Sequence, residues 1–314
     1  MLSGAKGRFA TVAVVTAVVA GLVADGAVAG TAPPSLTGSA VLCDNARGLV
    51  TGADGEPYAI RMPRWRGGPG RACVRTTGGA QFHVTRTPVS DGHVNSYPDV
   101  AMGCMQWTCT PDRRLPLRLQ HVARLRSSLL IHGHPSGMWN ASYDMWLGKA
   151  EFNADGSSTR SGAEVMVWPT YSESYAGHRI VHIAGRAWYY MHWHTCDHAK
   201  SPTRHGGVPR ADVTCFKYIS FRAVHQYRRV SNLNLLAFFR WLEDRQMVRK
   251  WWWLEGVEAG FEIWSGGRGL GISGFRVDVQ KVARHKTRTY GHTHHRLHEH
   301  RKPVRHERHL RPAT

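Results

Sequence analysis

Two short segments of the chain each place one glutamate among apolar and tryptophan residues, SGAEVMVW around Glu164 and EAGFEIW around Glu262. Successive side chains of a β-strand point to opposite faces. In strands, Glu164 would therefore share a face with Met166 and Trp168, and Glu262 would share one with Trp264. Two carboxyl groups facing one cleft can perform acid/base cleavage of a glycosidic bond. The pair suggests chemistry on a sugar.

The strands that would hold these glutamates fit the rest of the sequence. From residue 41 to residue 281, short segments rich in β-branched and aromatic residues alternate with Gly, Pro, Asn, Asp and Ser. This pattern is typical of an all-β protein. One stretch departs from it, because Ser231 is a suitable N-cap for a helix that would run to about Val248. The residues expected to pack this helix on a sheet are Leu235, Phe239 and Leu242.

The two ends of the chain are expected to lie outside the folded domain. Residues 1–29 have two basic residues, an apolar run and a small-residue AVA ending, which together indicate a cleaved secretion signal. The run is too short for a membrane span, so we expect a secreted, extracellular protein without a membrane anchor. Residues 30–40 form a linker, residues 41–281 the domain, and residues 282–314 a disordered, basic, His-rich tail.

The six cysteines predict disulfide bonds. Their number is even and they follow the leader, which favours an oxidising compartment over metal binding or reactive thiols. Six cysteines allow about 15 pairings, and the sequence alone leaves the connectivity open. The pairing that we favour is Cys104–Cys109 as a tight clip, Cys43–Cys73 across a longer loop, and Cys196–Cys215 as the remaining pair.

The net charge of +19 raises the possibility of a nucleic-acid binder. Residues 284–314 alone carry nine Lys or Arg against two Glu, so much of the charge belongs to the tail. The case for a nucleic-acid-binding protein therefore rests on charge only, and we expect no nucleic-acid partner. Five histidines in the tail could bind a transition metal, but no ordered scaffold is expected there to set the geometry. Carboxylates alone can cleave glycosides, so we expect no metal and no cofactor.

Six blocks in order along residues 41–280 resemble glycoside hydrolase family 12, the small secreted endoglucanases and xyloglucanases. The blocks are Cys43 with Trp65 and Cys73, YPDVAMGCMQWTC from Tyr97, NASYDMWL from Asn140, GAEVMVW from Gly162, SNLNLLAF from Ser231, and VEAGFEIWSGGRGLGISGF from Val257. The resemblance implies an antiparallel two-sheet β-jelly roll with a concave glycan cleft and one packed α-helix.

The resemblance also implies roles for single residues. Glu164 matches the nucleophile, Glu262 the general acid/base, and Asp144 the acid that hydrogen-bonds the nucleophile. Glu258 shares strand parity with Glu262, but the GFE motif selects Glu262. The substrate-binding candidates, from motif position and strand parity, are Trp65, Asn140, Met166, Trp168 and Trp264.

Three features depart from the family pattern. Met62-Pro63 stands where two polar residues usually bind sugar hydroxyls, Pro169 follows Trp168, and residues 192–215 form an insert at one end of the groove. The expected activity is retaining endo-β-1,4-glucanase action on β-glucan, xyloglucan or amorphous cellulose by a monomer. The alternative is a non-catalytic cell-wall glycan-binding protein with the same fold.

Overall fold

The computed structural model describes residues 33–105, 108–112, 114–150, 162–173, 179–197 and 214–283. The predicted secretion signal and all but the first two residues of the predicted tail lie outside these ranges. The strands are β1 (Ala40–Cys43), β2 (Arg47–Thr51), β3 (Pro57–Arg61), β4 (Cys73–Thr76), β5 (Phe82–Arg86), β6 (Asp99–Met105), β7 (Thr108–Cys109), β8 (Leu117–Arg118), β9 (Val122–His132), β10 (Trp139–Gly148), β11 (Ala163–Tyr171), β12 (Arg179–Ile183), β13 (Arg186–Asp197), β14 (Thr214–Ala223), β15 (Arg229–Asn234), β16 (Trp253–Leu254), β17 (Gly256–Ile263) and β18 (Gly271–Lys281). The helix α1 spans Leu236–Glu243, and a short 3-10 turn spans Leu119–His121.

The strands form two sheets, which confirms the predicted sandwich. The smaller sheet has the order β1-β4-β5-β18-β9-β15, and the central path of the larger sheet is β12-β13-β14-β11-β10-β17-β6-β3-β2. The named strands pair antiparallel with one exception, since β11 and β14 run parallel. This one pair departs from the antiparallel arrangement of the predicted jelly roll. The meander β12-β13-β14 begins in the direction of β11, and its third strand returns to lie beside β11 in that same direction.

The core lies between the two sheets and is built from alternate residues of each strand. In β10, Tyr143 and Met145 are fully buried against it, and in β11 Val165 and Val167 are likewise. The opposite sheet contributes residues such as Leu125. Burial of each such side chain stabilises the fold by about 1.5 to 3 kcal/mol. Because alternate residues enter the core, those between them face the other side of the larger sheet.

The helix begins later than the sequence indicated. Ser231 lies in β15, which pairs with β9, so the prediction of Ser231 as an N-cap is wrong. Pairing with β9 supplies hydrogen-bond partners for backbone groups that a longer helix would have paired internally. Asn232 takes a positive φ of 53° at an irregularity in this pairing. Asn234 Oδ1 instead accepts a hydrogen bond from the Ala237 backbone N–H at 3.3 Å. The predicted packing residues are confirmed as fully buried: Leu235, Phe239 and Leu242.

Two of the favoured disulfides are confirmed. Cys43–Cys73 joins β1 to β4, and Cys104–Cys109 joins β6 to β7. Cys215 is also disulfide-bonded. In the backbone register of β13 and β14, Cys215 lies opposite Cys196, which is the partner that the sequence favoured. The Cys196 side chain is outside the part of the chain that the structure describes.

The first described residues already belong to the folded part. Leu36, within the predicted linker, packs on the core, and its backbone N–H donates to the Leu49 carbonyl at 2.7 Å. Within the ranges described, no helix has the length and apolar character needed to cross a membrane.

Candidate active site

The face of the larger sheet that points away from the core carries the chemistry, and we call it the site face. Asn140, Ser142, Asp144 and Trp146 of β10 occupy it, because the residues between them enter the core. This confirms the strand parity inferred from the sequence. A second buried apolar cluster covers the site face, and its members are Val94, Tyr97, Ala101, Met105, Trp146, Met166, Trp168, Tyr171, Phe216, Tyr218 and Trp264.

Strand β10 lies between the two glutamates. Glu164 of β11 stands opposite Trp146 in the register of β10, and Glu262 of β17 stands opposite Asn140. β11 and β17 are two strand spacings apart, about 10 Å, and the two register positions, Trp146 and Asn140, are six residues apart along β10. Both side chains are almost fully buried, at 2% and 1% exposure, on the same face. Buried carboxyls are rare in proteins and are often found at functional sites, so this pair is the candidate catalytic pair.

The Tyr218 hydroxyl lies within the electrostatic influence of three acidic residues. Tyr218 lies on β14 opposite Glu164 and is fully buried. Burial raises its pKa well above the ordinary value, and the charges of Glu262, Glu164 and Asp144 raise it further. All three carboxyl groups therefore lie within electrostatic reach of one hydroxyl. That hydroxyl also donates to the Met166 Sδ atom at 3.2 Å.

Glu262 has the electrostatic character of an acid catalyst. Burial raises the pKa of its carboxyl to about 7, against an ordinary value of 4.5. A hydrogen bond from Asn140 and the positive charge of Arg222 oppose this rise. A carboxyl with a pKa near 7 retains its proton in weakly acid solution, so it can protonate a leaving group.

Asn140 positions the Glu262 carboxyl. Its side-chain amide donates to Glu262 Oε2, and the Glu262 backbone N–H donates back to Asn140 Oδ1 at 3.4 Å. The predicted contact of Asn140 with substrate stays a prediction. The two hydrogen bonds between Asn140 and Glu262 fix the direction in which the Glu262 carboxyl points.

Asp144 lies next to the predicted nucleophile in the sheet. In the register of β10 and β11, Asp144 faces Met166 and its neighbour Trp146 faces Glu164, so Asp144 and Glu164 are diagonal neighbours. The Trp146 indole N–H donates to Asp144 Oδ2 at 3.3 Å. Diagonal neighbours on one face are close enough for long side chains to interact.

Glu258 belongs to a separate buried ion cluster. It forms an ion pair with Arg61, whose guanidinium also binds Asp99 through an Nε–Oδ1 contact of 2.9 Å. Burial raises the pKa of Asp99 to about 6, although Arg61 lowers it. The Arg61 pairing gives Glu258 a structural partner, which agrees with the choice of Glu262. Sequence inspection did not single out Arg61 or Asp99.

Strand β14 contributes two further residues that the sequence analysis missed, Tyr218 and Arg222. The Arg222 guanidinium lies 3.8 Å from the ring centroid of Trp168, and the residue is only 4% exposed. The segment YISFRA alternates polar and apolar residues, which was a usable signal for a strand with one polar face. What the sequence did not show is that this strand lies beside β11.

The aromatic candidates lie on or beside the site face. Trp168 and Trp264 belong to the apolar cluster of the site face, and Trp65 packs against that cluster. The Trp65 ring stacks on the Tyr97 ring, with centroids 5.9 Å apart and ring planes at 4°. Met62, in contrast, is 1% exposed in the core between the sheets. Its side chain therefore takes no part in the site.

Across the described ranges, no group of three or more His, Cys, Asp or Glu side chains is arranged to hold a metal ion. The tail histidines that were weighed as transition-metal ligands, within residues 292–300, lie outside these ranges.

No protein-family model matches this chain. A metagenome-derived glycoside hydrolase family 12 endoglucanase of known structure is 30% identical, with a TM-score of 0.62, over 78% of this chain and 99% of that protein. An endoglucanase from Rhodothermus marinus is 28% identical, with a TM-score of 0.63, over 77% of this chain and all 100% of its own. Endoglucanase S of Pectobacterium parmentieri is 26% identical over 201 residues, 62% of this chain and 69% of that protein. With the two-sheet fold and the buried glutamate pair, this similarity establishes that the chain belongs to glycoside hydrolase family 12.

Proposed function

We propose that this endo-β-glucanase cleaves β-1,4-glucan with retention of configuration, using Glu164 as nucleophile and Glu262 as general acid/base. The observation that carries the proposal is the pair of buried carboxyls on one face, one of which has a pKa of about 7. A retaining glycosidase needs one ionised carboxylate to attack and one protonated carboxyl to donate. The structure gives a physical reason, burial, for Glu262 to be the protonated member.

The chemistry has two steps. Glu262 transfers its proton to the glycosidic oxygen while the Glu164 carboxylate attacks the anomeric carbon, so the C–O bond to the leaving chain breaks and a glycosyl ester forms. Glu262, now ionised, removes a proton from water as the water attacks the same carbon. The ester bond breaks, Glu164 leaves as a carboxylate, and both groups return to their starting states.

Asp144 and Asn140 would position the catalytic pair. Asp144, diagonal to Glu164, would orient the nucleophile, whereas Asn140 holds the Glu262 carboxyl by its amide. A displacement of about 1 Å in such a pair can cost about a hundredfold in rate. We therefore expect Asp144→Asn to lower kcat more than it changes KM.

The substrate is proposed to be a neutral polysaccharide: β-glucan, xyloglucan or amorphous cellulose. The named relatives are endoglucanases. Trp65 offers a partly exposed aromatic ring beside the site face, and Trp168 and Trp264 lie buried on that face. In the described ranges the buried Trp168 Nε1 has no protein hydrogen-bond partner, so a sugar hydroxyl that reached it would supply one. We propose in addition that the protein is secreted, on the strength of its leader-like residues 1–29.

The test is proton NMR of mixed-linkage β-glucan during digestion, with Glu164→Gln and Glu56→Gln in parallel. Glu56 is a partly exposed glutamate paired with Arg114, so its variant controls for loss of a carboxyl elsewhere. The expected result is early appearance of the β-anomer with the wild type and the control, and none with Glu164→Gln. Early α-anomer, or substantial hydrolysis by Glu164→Gln, would reject the assignment.

Glu262 is tested with leaving groups of different acidity. Because it donates the proton, Glu262→Gln should recover activity on aryl glycosides whose leaving groups need no protonation. Equal losses on natural and activated substrates would exclude that role. If the wild type binds β-glucan, xyloglucan and amorphous cellulose but hydrolyses none of them, the non-catalytic glycan-binding alternative would replace the proposal.

A further inference from the structure

Strand β13 presents a second row of large side chains to the site face. Trp193 pairs with Tyr218, Met191 with Ser220 and Tyr189 with Arg222 in the register of β13 and β14. Partners in register share a face, so these β13 residues lie on the site face. All three are only partly buried, whereas their core-facing neighbour Trp188 is fully buried.

Trp193 is held in a fixed orientation. Its indole stacks on the Tyr218 ring, with centroids 4.1 Å apart and planes at 24°. Tyr218 is itself fully buried among the catalytic carboxyls. One face of the indole is therefore covered, and the side chain stays partly exposed beside the apolar cluster of the site face.

The arrangement matches that of Trp65. Trp65 is also partly exposed and also stacks nearly parallel on a buried tyrosine, Tyr97. Trp65 follows β3, which lies three strands from β10 on one side, while β13 lies three strands from β10 on the other. At about 4.8 Å per strand, each tryptophan stands about 14 Å from the central strand along the sheet. The spacing of about 4.8 Å between neighbouring strands is close to the rise of one β-1,4-linked glucosyl unit.

Each tryptophan also has unpartnered polar atoms nearby. Ser220 lies on β14 directly opposite Met191, on the site face. Its Oγ atom is fully buried and has no protein hydrogen-bond partner in the described ranges. Near Trp65, the same holds for Asn95 Oδ1 and Ser96 Oγ. Buried polar groups normally have a partner, so such atoms mark places where a ligand can supply one.

We propose that Trp193 is the platform of a further glycan subsite, at the β13 end of the cleft and opposite Trp65. It takes the apolar face of one glucosyl unit of a neutral β-1,4-glucan chain. This inference rests on the proposed function and deepens it. If Trp65 holds the glycone, Trp193 holds the aglycone. Trp193 lies in the 192–215 segment that departs from the family pattern, so the resemblance does not itself supply this subsite.

Binding is measured calorimetrically in the Glu164→Gln background, which prevents turnover. Trp193→Ala should weaken cellohexaose binding about five- to tenfold, because one apolar sugar face loses its platform. Cellotriose, too short to fill the cleft, should bind almost equally well with and without Trp193. Trp193→Phe keeps a smaller ring and should give an intermediate loss. Trp251→Ala is the matched control, since Trp251 is 50% exposed outside the site-face cluster and should leave both affinities unchanged.

The cleavage pattern gives an independent readout in the otherwise wild-type protein. Losing a subsite at the β13 end should shift cleavage of end-labelled cellohexaose toward the end bound there, so shorter aglycone products appear. Unchanged hexaose affinity and cleavage pattern in both Trp193 variants would overturn the subsite. A change of oligomeric state without a change in glucan binding would also overturn it, by making Trp193 a contact between copies. If the wild type cleaves no glucan and Glu164→Gln does not bind hexaose, the proposed function itself fails.

Discussion

Replacing Glu262 by glutamine should make the folded protein progressively more stable than the wild type as the pH rises from 4 to 8, even as it impairs catalysis. Burial raises the pKa of this carboxyl to about 7 from an ordinary 4.5. Between these values the folded state holds a proton that the unfolded state has released. The free energy of unfolding of the wild type therefore falls with pH across this window.

The magnitude follows from the two pKa values. They differ by about 2.5, and one pKa unit corresponds to about 1.4 kcal/mol. The wild type should therefore lose about 3 kcal/mol of stability from this group between pH 4 and pH 8. Glutamine keeps the shape and can still accept the Asn140 hydrogen bond, but it does not ionise. Asp99, whose pKa of about 6 titrates in the same window, is present in both proteins and cancels in the difference.

The assay is urea unfolding at half-unit pH steps, comparing the wild type, Glu262→Gln and the partly exposed control Glu56→Gln. The stability of Glu262→Gln relative to the wild type should rise by about 3 kcal/mol over the range, with equal m-values. A relative stability that stays constant from pH 4 to pH 8 would refute the reasoning. It would mean that the Glu262 carboxyl is not held protonated by burial, and the acid role would lose its physical basis.

Other changes test the supports of the site. Removing the Cys43–Cys73 disulfide, which spans a sequence separation of 30, should lower the free energy of unfolding by about 3 to 4 kcal/mol in denaturant titrations; no change would contradict a stabilising cross-link. Phe239→Ala, at a fully buried helix position, should cost about 3 to 5 kcal/mol in the same assay, and a cost below 1 kcal/mol would mean that the helix does not anchor the fold. Arg222→Met removes a charge that lowers the pKa of Glu262, so the alkaline limb of the kcat/KM profile should move to higher pH. Arg222→Lys should keep the wild-type limb, and identical profiles for the two variants would exclude the electrostatic effect.

Strand parity was the most reliable part of the sequence analysis. It assigned Asp144 and Trp146 to the site face and Tyr143 and Met145 to the core, as the structure confirms. The predicted helix start at Ser231 was wrong because Ser231 belongs to a strand that pairs with β9, about a hundred residues away in the sequence. This pairing outweighs the local preference of serine for a helix N-cap. Capping is a short-range signal, and tertiary contacts override it where they satisfy the same backbone groups.

By itself, the sequence determined the alternation that builds two-faced strands, the short spacing of Cys104 and Cys109 and the motif positions of Glu164 and Glu262. These are local properties, since they depend on residues a few positions apart or on matched blocks. Only the tertiary structure decided that β14 runs parallel beside β11 and so brings Tyr218 and Arg222 to the glutamates. It alone decided the pKa of Glu262 as well, because burial arises from the neighbouring strands that surround the carboxyl and not from the GFE motif.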